Sequence, residues 1–406
     1  MDEICVARQP IMNRDRELFG YELVFKGIIE DELNTTAHLV DNLMSTVGIE
    51  KMAGNEFAFL NCDYDFLLSE APQILNPEVF ILEIYDKILI DDKIIETIKQ
   101  LHGKGFKIAL DDFELTKQSS ALIAPIIPCL SFCKFGYSEV KNPGLLPKLI
   151  EVFHKYKIEV ITKKIETMTD FKLCYKSGSD FFQGYFFAKA ENAKPVKIRA
   201  DTVGALRVLN QMSGNYMDVD IGSLESEFKK YPDLTVNLLK YLNTAAFGVR
   251  CGITSIRHAL SMLGLSRIKK WLLILAYDNN SNVSLEKSPL LVNAMMRANF
   301  FVSMAKKLSW SAEKTEKAYL MGLVSHLDAL YQTTYENILE QISLDVEIAR
   351  ALLEGAGAMG LLLNIISIIE QGDIEDASEY LEALMLSRKD VNECLISAYT
   401  SSLSVT

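Results

Sequence analysis

The sequence predicts a TIM-like (β/α)8 barrel, an α/β fold, over its first half and an all-α domain over its second. Three observations carry this. Strand-forming runs alternate with helical patterns through the first half, which implies right-handed crossovers and a largely parallel sheet. Polar residues recur at the C-terminal ends of those strands, where barrel chemistry gathers. Beyond Arg199 the strand patterns nearly vanish. The expected domains are 1–194 for the barrel and 195–406 for the helical part.

Ile4 to Gln9 and Leu18 to Phe25 are rich in strand formers and flank the polar turn Asn13-Arg14-Asp15-Arg16, which reads as a hairpin. A helical pattern follows from Thr35 to Met52, with apolar residues at Leu39, Leu43, Val47 and Met52. Strand candidates then recur at Phe57–Asn61, Val79–Ile84, Lys107–Asp111, Ser131–Phe135 and Glu159–Thr162. Helical patterns at Asp91–His102 and Leu145–Tyr156 lie between them. The proline-bearing stretch Ala188–Arg199 has few large apolar residues and marks the boundary. Helical periodicity then appears at Val203–Met212, Leu234–Leu242, Ile256–Leu263, Arg267–Ala276 and Leu290–Leu308. It continues at Glu313–Leu330, Leu344–Leu353 and Asp376–Leu386.

A net charge of -12 argues against a general nucleic-acid binder, because phosphate binding needs a basic surface. Seven cysteines in no dense framework read as reduced thiols of a cytoplasmic protein. Met1-Asp2-Glu3-Ile4 lacks the basic and apolar regions of a signal peptide. The apolar stretch Ala356–Ile369, broken by Asn364 and Ser367, is too short to span a bilayer.

The most informative stretch is Ile108-Ala109-Leu110-Asp111-Asp112, an apolar run that stops at two adjacent carboxylates. Neighbouring acids repel unless cations or donors compensate, so the pair suits hard oxygen ligation of Mg²⁺ or Ca²⁺, or an exposed turn. Glu22, Asn61, Glu83, Asp112 and Lys134 fall at corresponding strand ends, which favours a common site.

These motifs, in this order, resemble the EAL domain, the barrel family that hydrolyses cyclic di-GMP. The resemblance covers roughly Met1 to Lys194. Gly20-Tyr21-Glu22-Leu23-Val24 lies where the family's signature does, with Leu23-Val24 replacing Ala-Leu. The resemblance implies metal-site positions at Glu22, Asn61, Glu83, Asp111 and Asp112. Lys134 matches the lysine of a Lys-x-Asp motif, and Gln183-Gly184-Tyr185 a late Gln-Gly-Tyr segment. The departures are as specific. Glu114-Leu115-Thr116 replaces a Gly-Thr-Gly-like loop, Gly136 the aspartate of Lys-x-Asp, and Lys26 an arginine that contacts nucleotide. In Val160-Ile161-Thr162-Lys163-Lys164-Ile165-Glu166-Thr167, Lys163 stands where the family has a catalytic glutamate, while Glu166 keeps the second one. One unit-charge contact at about 4 Å is worth roughly 4 kcal/mol at a dielectric of about 20, so this ammonium opposes metal binding. It either swings away or pairs with Glu83 or Asp111 as an internal substitute for the metal. Glu22, Asn61, Glu83, Asp111, Asp112, Lys134, Lys163, Glu166 and Gln183 are therefore expected to be vestigial active-site positions, none catalytic.

In the second half, Leu238-Leu239-Lys240-Tyr241-Leu242-Asn243-Thr244-Ala245-Ala246-Phe247-Gly248, Ile253 to Leu260 and Ile268-Lys269-Lys270-Trp271-Leu272 resemble the HDOD domain. That family is a relative of the HD phosphohydrolases without their metal-binding His-Asp residues. His326 and Asp328 are separated by one residue, which on a helix turns them to different faces, and their role is left open. Trp271 is expected to be buried, with Lys269 and Lys270 solvated.

The expected function is a non-catalytic bacterial signalling scaffold, acting through protein–protein contacts in a cyclic di-GMP-related pathway of motility or biofilm formation. The alternatives are a phosphodiesterase of residual activity and a cyclic di-GMP sensor without hydrolysis. No cofactor is expected; should Mg²⁺ or Mn²⁺ bind, Glu22, Asn61, Glu83 and Asp111 are the candidate ligands. Other signalling proteins are the expected partners, with no nucleic acid and no membrane span. Weak cyclic di-GMP binding and homo-oligomerisation are left open.

Overall fold

In the computed structural model, residues 5–26, 54, 56–89, 91–113, 121–137, 143–187, 198–213, 219–242, 255–277, 288–342, 344–371 and 374–402 are described. The expected helix over 35–52, the Glu114-Leu115-Thr116 loop, most of the 188–199 boundary and the 243–254 part of the HDOD-like motif lie outside them. Contacts group the chain into two compact units. One holds Met1–Phe187, Lys287–Pro289 and Ser367–Thr406; the other holds Ala188–Glu286 and Leu290–Ile366.

The first unit contains a closed eight-stranded barrel in sequential order. Its strands are β1 (Cys5–Met12), β2 (Leu18–Lys26), β3 (Phe57–Asn61), β4 (Phe80–Tyr85), β5 (Lys107–Asp111), β6 (Leu130–Gly136), β7 (Glu159–Lys163) and β8 (Phe181–Gln183). β1 runs antiparallel to both β2 and β8, and every other pair is parallel. The hairpin turn forms as expected: the Asn13 carboxamide oxygen accepts from the Asp15 and Glu17 amides. Helices α1 (Tyr64–Leu68), α2 (Asp92–Gly103), α3 (Leu146–Lys155) and α4 (Met168–Ser177) connect parallel strands. Asp91 caps α2 by accepting from the Ile94 amide, and Ile94, Ile98 and Leu101 form its buried face.

Period two in the strands decides what fills the barrel. Ile11, Phe59, Ile81, Ala109, Phe132, Ile161 and Phe181 form one buried apolar layer. Two residues further along six of these strands, on the same face, come Asn61, Glu83, Asp111, Lys134, Lys163 and Gln183. The lower layer closes the interior and the upper one lines the mouth at the C-terminal ends.

The described elements of the second unit are all helices. Its helices are α5 (Ala200–Gln211), α6 (Ile221–Lys229), α7 (Pro232–Leu242), α8 (Ile256–Tyr277), α9 (Pro289–Lys307), α10 (Ala312–Val324), α11 (Leu327–Tyr331), α12 (Tyr335–Gln341) and α13 (Val346–Glu354). α14 (Gly357–Gln371) follows, then α15 (Ser378–Ala383) and α16 (Arg388–Ser402), which group with the barrel although expected in the helical domain. The two expected segments at 256–263 and 267–276 are halves of α8, broken at Gly264 with φ 72°. The expected helix over 313–330 is interrupted between α10 and α11. Gly322 lets α10 approach α9: a Cβ there would lie 2.4 Å from the Ala298 backbone.

Trp271 is buried and stacks on Phe228 and Tyr241, with centroids 6.4 and 5.8 Å away. Lys270 is exposed, but Lys269 is buried and paired with Glu316, contrary to the expectation of two solvated lysines. Among the described residues no single helix is long and apolar enough to cross a membrane; α13 and α14 pass that test only as a pair bent by 43°.

Candidate functional site

The barrel mouth gathers eight of the nine expected positions into two neighbouring clusters of ion pairs and hydrogen bonds. Lys134, fully buried on β6, donates to Glu22 Oε2 at 2.7 Å and to Glu83 Oε1. Glu22 Oε2 also accepts from Gln183 Nε2 at 2.8 Å, and Glu22 Oε1 from Asn61 Nδ2 at 3.1 Å. Beside this half lies the second. Lys163 Nζ sits 2.8 Å from Asp111 Oδ1 and also contacts Asp112 Oδ1. Asp111 Oδ1 accepts from the Asp112 amide at 2.8 Å as well.

Backbone geometry directs the second half. Asp112 has φ 49° and Lys164 has φ 59°, so the chain turns through the left-handed region directly after β5 and after β7. The Asp112 turn brings a second carboxylate onto the same ammonium. Gly184, with φ 147°, closes the mouth at β8: a Cβ there would lie 2.1 Å from Ile165 O. That close approach allows the Ile165 amide to donate to Gln183 O at 3.2 Å.

The electrostatics follow from burial and sign. Four carboxyl groups, those of Glu22, Glu83, Asp111 and Asp112, share two ammoniums, so acids outnumber bases in the cluster. Burial alone would raise the Glu22 carboxyl, but Lys134, Gln183 and Asn61 outweigh it and bring it down to about 2. Glu83 goes the other way: full burial first, then the neighbouring Glu22 charge, push it well above the carboxylate range. Burial opposes the Lys163 ammonium, yet its contacts with Asp111 and Asp112 raise it above the usual lysine value. Both lysines are therefore charged at neutral pH.

Glu22, Glu83 and Asp111 each bring a carboxylate oxygen within 4.8 Å of the others, a spacing that a hard cation can bridge. Glu83 Oε2 is buried and has no hydrogen-bond partner, which also suits a cation. The same three carboxylates, however, already carry the two ammoniums. The donor set fits a divalent ion; the charge around it is partly supplied from within.

Glu166 is exposed and stands outside both clusters. Two participants were missed. Gln9 accepts from Gln183 Nε2 at 3.0 Å, and Tyr85 donates to Asn61 Oδ1 at 2.7 Å. Each lies two residues from a recognised inward position, Ile11 or Glu83, and that alternation was the available signal.

In the helical unit His326 is buried, and Nε2 finds no partner. Burial, then the nearby Arg297 charge, hold its imidazole well below the usual histidine range. Asp328 is raised by burial and accepts from Tyr335. Among the described residues these two join no group of potential metal ligands.

Comparison with known proteins agrees with both halves. Residues 64–190 match the EAL domain and residues 205–356 the HDOD domain. The chain is 28% identical over 407 residues to cyclic di-GMP phosphodiesterase CdgJ of Vibrio cholerae, covering 97% of this chain and 91% of that protein. It is 25% identical over 403 residues to the uncharacterized protein YuxH of Bacillus subtilis, with 97% of each covered. Among solved structures, a calcium and cyclic di-GMP complex of Klebsiella pneumoniae BlrP1 is 17% identical with a TM-score of 0.38. That match spans 46% of this chain and 55% of BlrP1. In order along the chain, then, come a region that matches the EAL domain and a region that matches the HDOD domain.

Proposed function

We propose that this protein is a non-catalytic component of cyclic di-GMP signalling, a degenerate EAL barrel joined to a helical module that binds other signalling proteins in the cytoplasm. One observation carries the reading: the Lys163 ammonium at the end of β7 lies on both Asp111 and Asp112. Hydrolysis of a phosphodiester at neutral pH needs an activated water, and a metal supplies it by lowering the pKa of bound water from 15.7 to about 7. An ammonium donates hydrogen bonds but offers no coordination position, so it neutralises the aspartates without generating hydroxide. The expected catalytic glutamate is absent from the same position, which leaves Lys163, a fully charged acid, where a proton acceptor is needed.

The positions Glu22, Asn61, Glu83, Asp111, Asp112, Lys134, Lys163 and Gln183 then serve to hold the barrel mouth in a fixed shape, and Glu166 is a surface residue. The relationship to CdgJ supports the pathway, since that relative is named for hydrolysis of cyclic di-GMP.

The test is a hydrolysis assay and a calorimetric titration of the purified full chain with cyclic di-GMP in the presence of Mg²⁺ or Mn²⁺. No product and no heat are expected. Metal-dependent product would refute the reading. Heat without product would replace the scaffold by a nucleotide sensor.

A further inference from the structure

A parallel crossover lays a helix on the outside of a barrel, whereas a hairpin does not. β1 and β2 are joined by the tight turn at 13–17, so no helix arises between them to cover the outer face of β1. After β8 the chain passes directly from Phe187 into the second contact unit at Ala188. Among the described residues, no helix adjacent to β1 in sequence covers its outer face.

That face is nevertheless covered. Ala7, Gln9 and Ile11 alternate toward the interior, which directs Arg8 outward. Yet Arg8 is only 5% exposed. Its guanidinium lies between two rings, 4.2 Å from the Tyr21 centroid and 4.4 Å from that of Tyr399. Tyr399 belongs to α16, which packs on β1. Along α16, Val391, Cys394, Leu395, Ala398 and Tyr399 are all buried, a single stripe at helical spacing.

We infer that α16 is the outer helix of β1, supplied by the far end of the chain, and that the helical domain is an insertion within the barrel rather than an appendage to it. The contact grouping of Ser367–Thr406 with Met1–Phe187 has the same form. α16 is then a positioning element for the barrel mouth. It backs the outer face of β1, while the inner face presents Gln9 to Gln183, and Gln183 donates to Glu22.

The experiment is hydrogen exchange on the full chain carrying Tyr399→Ala, with Tyr399→Phe as the conservative variant. Amides of 5–26 in Tyr399→Ala are expected to exchange at least about tenfold faster, with α5 to α8 unchanged and the phenylalanine variant like wild type. Unchanged protection in 5–26, or equal loss in both units, would overturn the inference. Should Tyr399→Ala not fold, a protease site placed between residues 371 and 374 of the full chain gives the second measurement. After cleavage, the fragment carrying α16 is expected to stay with the remainder through gel filtration in native buffer, and its separation would overturn the inference.

Discussion

Replacing Lys163 by alanine removes one ammonium and exposes the balance of the mouth. The ammonium is 2.8 Å from Asp111, whose side chain is 2% exposed. At a dielectric of about 20 that separation corresponds to about 6 kcal/mol of gross attraction. Desolvation consumes much of it, and removing one partner of a buried pair costs about 3–5 kcal/mol. The contact with Asp112 adds little, because that carboxylate is half exposed and screened. A loss of about 3 kcal/mol is therefore expected, which lowers Tm by roughly 6–12 °C for a unit of this size. The same truncation leaves Glu22, Glu83 and Asp111, with oxygens within 4.8 Å of one another, open on the Asp111 side. A divalent ion at about 100 times its Kd would return about 2.7 kcal/mol, nearly all that was lost. Thermal melts of wild type and Lys163→Ala, each in EDTA and in Mn²⁺, read both effects. The variant should melt lower in EDTA and recover with Mn²⁺, while wild type moves little. A variant as stable as wild type in EDTA, or a wild type that gains as much from Mn²⁺, would refute the reasoning.

Lys134→Met retains volume but leaves the buried Glu22 carboxylate, with the Glu83 carboxyl beside it, without its cation, at a cost of about 3–5 kcal/mol. The urea midpoint should fall accordingly and recover in part when Glu22→Gln is added; a loss below about 1 kcal/mol would contradict the cluster as described. His326 tests the helical unit. Its folded pKa is lowered, first by burial and then by Arg297, so its contribution is present above the unfolded value of about 6.5 and is lost as pH falls. Stability should decline by up to about 1.4 kcal/mol per pH unit below about 6.5, and His326→Gln should flatten the slope by that amount in urea titrations at successive pH values.

Much of the mouth was legible because a strand fixes side-chain direction with a period of two. Once Phe59, Ile81, Ala109, Phe132 and Ile161 are taken as inward, Asn61, Glu83, Asp111, Lys134 and Lys163 follow without any tertiary information. β8 was different. Phe181–Gln183 is too short to display a period, and Gln183 was recognised through family resemblance alone. Gln9 and Tyr85 obeyed the same alternation, but a neutral polar residue near a strand end gives no chemical signal until its partner is known. α16 carried a readable apolar stripe, and nothing local said that it would lie on a strand almost four hundred residues earlier.

The sequence by itself determined the barrel and the helical half, since these depend on periodicity and residue type, and resemblance to the EAL family supplied the expectation that Lys163 stands where an acid would. It left open whether that ammonium swings away or pairs with Glu83 or Asp111. Only the tertiary structure decided for Asp111 and Asp112, because the choice rests on strand register and on the left-handed turn at Asp112, which set distances between charges remote in sequence. Coulombic energy depends on those distances and on burial, and neither is a property of the chain before it closes.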